Sequence, residues 1–107
     1  MITLYKQIHP KQCQSLSQMG YKTLINLRCD GECDSQPCTE TLKKSTESLG
    51  LIWHHFPIDG EAVLDTATVT AFANLVKNSP KPVMIFCGTG GRAKRLYQSA
   101  KILGLLE

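Results

Sequence analysis

The stretch Lys81–Lys94, KPVMIFCGTGGRAK, decides the fold. Its apolar run Val83-Met84-Ile85-Phe86 is bounded by proline and does not alternate, which predicts a strand buried on both faces. Cys87 follows at once, then Gly88-Thr89-Gly90-Gly91, then Arg92. A helical period takes over beyond it, with Ala93, Leu96, Tyr97, Ala100 and Leu103 on one face. The order is therefore buried strand, glycine-rich loop, helix. A glycine-rich turn entering a helix aims several backbone N–H groups at one point. Those donors, the positive end of the helix dipole and Arg92 together predict an anion-binding concavity. Cys87 is expected at its mouth, where a thiolate would be stabilised. The plainer alternative is a structural cysteine before an ordinary turn. Three glycines in four positions and an arginine at the helix entry are more than a turn requires.

Working outward, the same alternation recurs along the chain. Ile2 to Tyr5 is a short strand candidate, and Pro10 suits the first turn of a helix reaching about Met19. Cys13 is expected in the core on that helix. Thr23 to Arg28, TLINLR, reads as a second strand, followed by a loop rich in Asp, Gly, Ser and Pro over residues 29–38. Thr39 is placed to cap a weakly amphipathic surface helix ending near Leu49. Leu51 to Pro57 reads as a third strand, with a loop from Ile58 to Glu61 behind it. Asp65 is placed to cap a helix to about Asn78, with Val69, Phe72, Ala73 and Val76 on one stripe. Strands alternating with helices predict an α/β fold: a parallel four-stranded sheet with helices on both faces. Ligands of such sheets sit at the carboxyl ends of the strands. That rule gathers Arg28 and Cys29, Asp59, and Cys87 onto one edge.

Composition narrows the rest. The 107 residues make one domain, residues 1–107, with a formal charge of +3. That charge is too mild, and too little clustered, to announce nucleic acid. No apolar run reaches membrane-spanning length, and the start MITLYKQIHP has no signal-peptide layout, so a cytoplasmic protein without a membrane partner is expected. Five irregularly spaced cysteines do not make a secreted disulfide framework.

Four segments carry a family resemblance: GYKTLINLR followed by DGE (Gly20 to Glu32), HHFPID (His54 to Asp59), the helix ending AFANLVKN, and PVMIFCGTGGR (Pro82 to Arg92). Together they resemble the phosphatase-like domain of the beta-lactamase-hydrolase-like proteins, a bacterial group near both protein tyrosine phosphatases and rhodaneses. The resemblance implies a cysteine-phosphatase or rhodanese type of fold, with Cys87 as nucleophile and Arg92 as anion ligand. Members of the group include phosphatases and sulfurtransferases, often beside a persulfide dioxygenase domain, which makes a persulfide-oxidising partner protein an expectation. The cysteines at 29, 33 and 38 depart from the family pattern.

Loop length separates the two chemistries. Phosphatases of this superfamily carry Cys-x5-Arg, whereas this chain has Cys-x4-Arg. A smaller loop suits a terminal sulfur atom, and its N–H groups would stabilise a Cys87 persulfide as an oxyanion hole stabilises charge. The first expectation is thus a rhodanese-type sulfurtransferase acting on a small-molecule sulfur donor, with no cofactor. A cysteine-dependent phosphatase acting on a phosphate ester is the alternative; it would want a general acid, for which Asp59 is best placed. A third class is non-catalytic: a metal-binding or redox module using Cys29, Cys33 and Cys38, with Cys29 as resolving thiol for Cys87. The spacing lacks the usual Cys-x2-Cys pair, which weakens the metal reading. His54 and His55 are adjacent on a strand and point to opposite faces, one expected half-buried and one exposed.

Overall fold

The computed structural model describes residues 1–61 and 63–106. Its sheet has four parallel strands, β1 (Ile2–Tyr5), β2 (Thr23–Asn26), β3 (Ile52–His55) and β4 (Val83–Phe86), in the order β1-β4-β2-β3. Every residue of the two inner strands is buried, while the outer two are partly exposed. The uninterrupted apolar run of β4 follows from that position, since both of its faces meet protein.

Alternate residues of the inner strands serve two cores. Ile25, Val83 and Ile85 face α3 (Thr66–Asn78) and α4 (Gly91–Ile102), where Val69, Phe72, Ala73, Val76, Ala93, Leu96 and Ala100 are buried. Leu24, Met84 and Phe86 face the opposite way, against Ile8, Leu16 of α1 (Cys13–Gln18) and Leu42 of α2 (Thr39–Glu47). Helices therefore cover both faces of the sheet, as the alternation predicts. Phe72 and Phe86 are fully buried, one in each core. Truncating either to alanine is expected to cost about 3–5 kcal/mol through lost burial and the cavity left behind.

Several boundaries differ from expectation, each for a local reason. The second strand stops at Asn26 because the Asn26 side chain turns the chain out of the ladder, its Oδ1 accepting from Arg28 N at 2.9 Å. The third strand ends at His55, ahead of Pro57, which has no N–H to continue a ladder. Pro10 opens a single 3-10 turn, Pro10–Gln12, before α1 begins. The N-cap position of α2 is Cys38, not Thr39; the Thr39 N–H instead donates to Asp30 Oδ1 at 2.8 Å. The buried Leu42 and Thr46 also tie α2 more firmly to the core than a surface helix. Leu103 lies just past α4 and is 49% exposed, so the apolar stripe of that helix ends at Ala100. Among the described residues, no helix is long and apolar enough to cross a membrane.

Candidate active site

Cys87 is the first residue past β4, and its N–H donates to the Tyr5 carbonyl at 3.4 Å. The chain then turns tightly enough for the Gly90 N–H to donate back to Cys87 Sγ at 3.1 Å. Gly90 holds φ +93°, a left-handed conformation that a side chain resists, and α4 starts at Gly91. The loop is fixed on its other flank by Gln7, whose N–H donates to the Gly88 carbonyl at 3.3 Å. Gly91 N–H reaches Thr89 Oγ1 at 3.4 Å. Gly88, Thr89, Gly90 and Gly91 thus form a short cup with the sulfur on its inner side. Cys87 is only 1% exposed, so it lies beneath the cup rather than at an open mouth.

Arginines from two elements cover the cup. Arg92, in the first turn of α4, donates from Nη1 to the Ile58 carbonyl at 2.9 Å. Its two terminal nitrogens also clasp the Glu32 carboxylate, both at 2.7 Å. Arg28, just past β2, donates from Nε to Glu32 Oε1 at 2.9 Å and from Nη1 to Gln7 Oε1 at 3.0 Å. Both guanidinium groups press on Gly88: a Cβ there would lie 3.4 Å from Arg28 Cζ and 3.5 Å from Arg92 Nη2. Both arginine side chains thus lie directly against this turn. The Glu32 carboxyl is further held by the Cys29 N–H at 3.0 Å. The Arg92 hydrogen bonds, then those of Arg28 and Cys29, hold it well below the usual carboxylate range, at about 2, against the opposing effect of burial. Arg92 is raised in turn, chiefly by the Glu32 hydrogen bond.

The carboxyl ends of all four strands meet here. Ile58 N–H donates to the Leu27 carbonyl at 2.8 Å, and His55 Nε2 donates to the Arg28 carbonyl at 2.7 Å, fixing the loops after β2 and β3 against each other. Asp59 follows Ile58 on the exposed rim, its Oδ1 accepting from the Glu61 N–H at 2.9 Å. It stands beside the residue that anchors Arg92. Both His54 and His55 are half-buried, so neither is the exposed member of the pair that the strand pattern suggests.

Cys29 is a free, half-buried thiol. Burial, then the Glu32 and Asp59 charges, push it up, against the opposing pull of Arg92, and that favours the thiol over the thiolate a resolving cysteine needs. Cys33 and Cys38 are exposed and turned to their own neighbours, Ser35 Oγ at 3.2 Å and Thr41 Oγ1 at 3.0 Å. Among the described residues no three His, Cys, Asp or Glu side chains converge to hold a metal ion. The three cysteines are therefore not drawn into the cluster that a metal-binding module requires. Cys13 is buried beside Thr46, as a core residue.

Glu32 is the site residue that sequence reading passes over, while Arg28 is gathered onto this edge but given no role there. Arg28 reads as the last residue of a strand and Glu32 as part of a polar loop. Their spacing of four residues beside a glycine was the one available signal. A cavity of about 630 Å³ lies at the other edge of the sheet, against Ile2, Lys81 and Leu105. It holds neither the cysteine nor a glycine-rich turn. The cysteine and the glycine turn lie at the carboxyl edge, where ligands of such sheets sit.

A parallel α/β sheet, a cysteine at the end of its central strand and a guanidinium-covered cup define a cysteine-dependent enzyme of the phosphatase-like class. The chain belongs to the family described as beta-lactamase hydrolase-like protein, phosphatase-like domain, which matches residues 2–103. It is 34% identical over 83 residues to the beta-lactamase hydrolase-like protein of Agrobacterium fabrum, covering 78% of this chain and 19% of that one. To the protein of the same name from Xylella fastidiosa it is 28% identical over 89 residues, covering 83% of this chain and 20% of the relative. The chain thus spans about a fifth of the length of these relatives. Among solved structures it is similar to a Neisseria meningitidis protein provisionally assigned as a phosphatase, with TM-score 0.79 and 30% identity over 90% of this chain and 66% of that one. A Shewanella putrefaciens protein with the same provisional assignment matches with TM-score 0.73 at 22% identity, over 88% of this chain and 58% of that one. Its likeness bears on the fold alone.

Proposed function

We propose that the domain is a rhodanese-type sulfurtransferase that moves sulfane sulfur through Cys87. The observation that carries the reading is the shortness of the cup. Its glycine turn bonds back to Cys87 Sγ at Gly90, and α4 has already begun at Gly91. Such a cup suits one sulfur atom better than the three oxygens around a phosphorus. In the first half-reaction the Cys87 thiolate attacks the outer sulfur of a donor such as thiosulfate. The Cys87–sulfur bond forms, the sulfur–sulfur bond of the donor breaks, and sulfite leaves with the electron pair. In the second, cyanide or a thiolate takes the terminal sulfur and Cys87 leaves as thiolate, giving ping-pong turnover. Neither step needs a proton donor. This agrees with Glu32, the carboxyl group on the guanidinium pair, which is held ionised near 2 and cannot serve as an acid at neutral pH. The Gly90 N–H and the dipole of α4 stabilise the thiolate and then the persulfide. A persulfide-oxidising partner protein would fit as consumer of the product, and the cytoplasm as the compartment that keeps the cysteines reduced.

Phosphatase chemistry is the second reading, supported by the family's description and by the Neisseria protein's assignment. Cys87 would form a phosphocysteine and Asp59, on the rim beside Arg92's anchor, would protonate the leaving group. The two are separated by mass spectrometry of the intact protein after thiosulfate, with p-nitrophenyl phosphate hydrolysis measured in parallel. Sulfur transfer predicts an adduct of about 32 Da, one sulfur atom, on Cys87 that cyanide discharges. Efficient phosphate hydrolysis through Cys87 with no such adduct would replace the first reading by the second.

A further inference from the structure

The charge arrangement over the cup goes beyond a cysteine and one arginine. Two guanidinium groups, one just past β2 and one in the first turn of α4, converge on Gly88 and share one carboxylate. That carboxylate is the chain's own. Glu32 binds Arg92 through two terminal nitrogens, in the fork-to-fork manner by which arginine takes carboxylates, phosphates and related oxyanions. Glu32 thus sits on the two guanidinium groups that cover the cup, and Cys87 beneath them is 1% exposed. With Glu32 in place the cluster carries two positive charges against one negative. With Glu32 withdrawn, two guanidinium charges face an open glycine turn. Each arginine has a second anchor independent of Glu32, the Ile58 carbonyl for Arg92 and Gln7 Oε1 for Arg28. Both would therefore keep their direction when the carboxylate leaves.

We propose that Arg28 is a second ligand residue, that Arg28 and Arg92 together bind the substrate's oxyanion, and that Glu32 is an internal carboxylate which this oxyanion displaces. The inference rests on the reading of Cys87 and its loop as the reaction site, and it names the substrate class: a small dianion with at least two terminal oxygens on the reacting atom or on the atom next to it. Thiosulfate and a phosphate monoester both have that chemistry. A low-molecular-weight persulfide, with no oxygens next to its sulfur, lacks it. Displacement also explains how a buried cysteine is reached. The ligand that removes Glu32 uncovers the cup and supplies the negative charge the arginines then hold. Arg28 acts on binding and selection, so its loss should raise KM more than it lowers kcat.

The test measures binding without turnover, on the Cys87→Ser protein, by titration calorimetry with thiosulfate, with phenyl phosphate and with formate as a monoanionic control. Arg28→Gln should weaken the dianion that binds by about 10-fold or more, as expected for one charge-assisted contact. Arg28→Lys should recover part of that affinity, since charge returns without the fork. Glu32→Gln should tighten the dianion by about 10-fold and change formate less, because the competitor is gone. Circular dichroism melts of each variant verify folding, and Glu32→Ala replaces Glu32→Gln if the latter does not fold. Unchanged dianion affinity in both Arg28 variants overturns the assignment of Arg28. Weaker or unchanged affinity in the Glu32 variants overturns displacement and makes Glu32 a residue that merely positions Arg92. Thiosulfate binding alone points to the sulfur donor as source of the oxyanion, and phenyl phosphate binding alone to the ester. Because no turnover is needed, these outcomes are independent of whether a persulfide forms on Cys87.

Discussion

The N-termini of α3 and α4 are built for opposite purposes. At α3, Asp65 precedes the helix in extended conformation and its Oδ1 accepts from the Thr68 N–H at 2.8 Å. The positive end of that helix is closed by the chain's own carboxylate. At α4 the N-cap is Gly90 in a left-handed conformation, and no side chain caps it. The group bonded to the Gly90 N–H is the Cys87 thiol, and Glu32 binds the Arg92 side chain instead of the helix. A capped helix start gains stability and sets its own carboxylate where an anionic ligand would sit. An uncapped one, backed by a thiol, gives up that gain and keeps a place for charge that forms during a reaction.

If that contrast is functional, the two ends should respond to substitution in different currencies. The largest effect belongs to Cys87. Cys87→Ser is expected to lower turnover by on the order of 10³-fold or more, since it removes the nucleophile, while the melting curve stays near that of the native protein. Retained turnover in the serine variant would make Cys87 a structural residue of the buried core and the contrast an accident of packing. Next comes Arg92→Lys. A point charge cannot span Glu32 or an oxyanion in the two-pronged way, so kcat/KM should fall by about 10²-fold. Saturation kinetics on both proteins check it, and unchanged constants would leave Arg92 as a helix-entry residue only.

The third test compares the caps directly. Asp65→Ala should lower Tm by roughly 5 °C and leave kcat/KM alone, because it opens a helix that no ligand meets. Gly90→Ala should lower Tm by a similar amount, roughly 5 °C, because alanine resists φ +93°. Unlike Asp65→Ala, it should also depress turnover, since the Gly90 N–H is aimed at the sulfur. Thermal melts and rates on the same three proteins, the two variants and their native parent, decide whether stability and activity separate as the structure implies.

What the sequence discloses and what it withholds follow from the range of the interactions. The strand, glycine turn and helix around Cys87 are contiguous, so composition and period reveal them without tertiary knowledge. The Asp65 cap is equally local, three residues from its partner Thr68. The Arg92–Glu32 pair is 60 residues apart, and only the strand order β1-β4-β2-β3, which sets β2 beside β4, brings its loops together. Arg28 is legible at this edge, but its part in the cup is not, for a smaller reason. The Asn26 side chain ends β2 early by taking the Arg28 N–H, and so turns a residue that reads as strand into one of the site. Proximity of three cysteines in sequence was misleading in the opposite way: Cys33 and Cys38 spend their thiols on Ser35 and Thr41, and no cluster forms.

The smallest expected effect tests whether Glu32 is held as firmly as its geometry says. Its carboxyl is depressed from an unfolded value of about 4.3 to about 2 in the fold. A carboxyl lowered on folding contributes stability that is fully present above the unfolded value and is lost as the pH falls through the folded one. At neutral pH the native protein should therefore be slightly more stable than Glu32→Gln. The side chain is 23% exposed, so screening keeps the difference modest, a few degrees at most. Lowering the pH from about 4.3 toward about 2 should erase the difference between the two proteins, because both then carry a neutral group at position 32. Urea melts of the pair across that window measure it. A difference that persists below pH 2 would mean that the shape of the side chain, not its charge, holds the loop over the cup, and displacement by an oxyanion would lose its electrostatic basis.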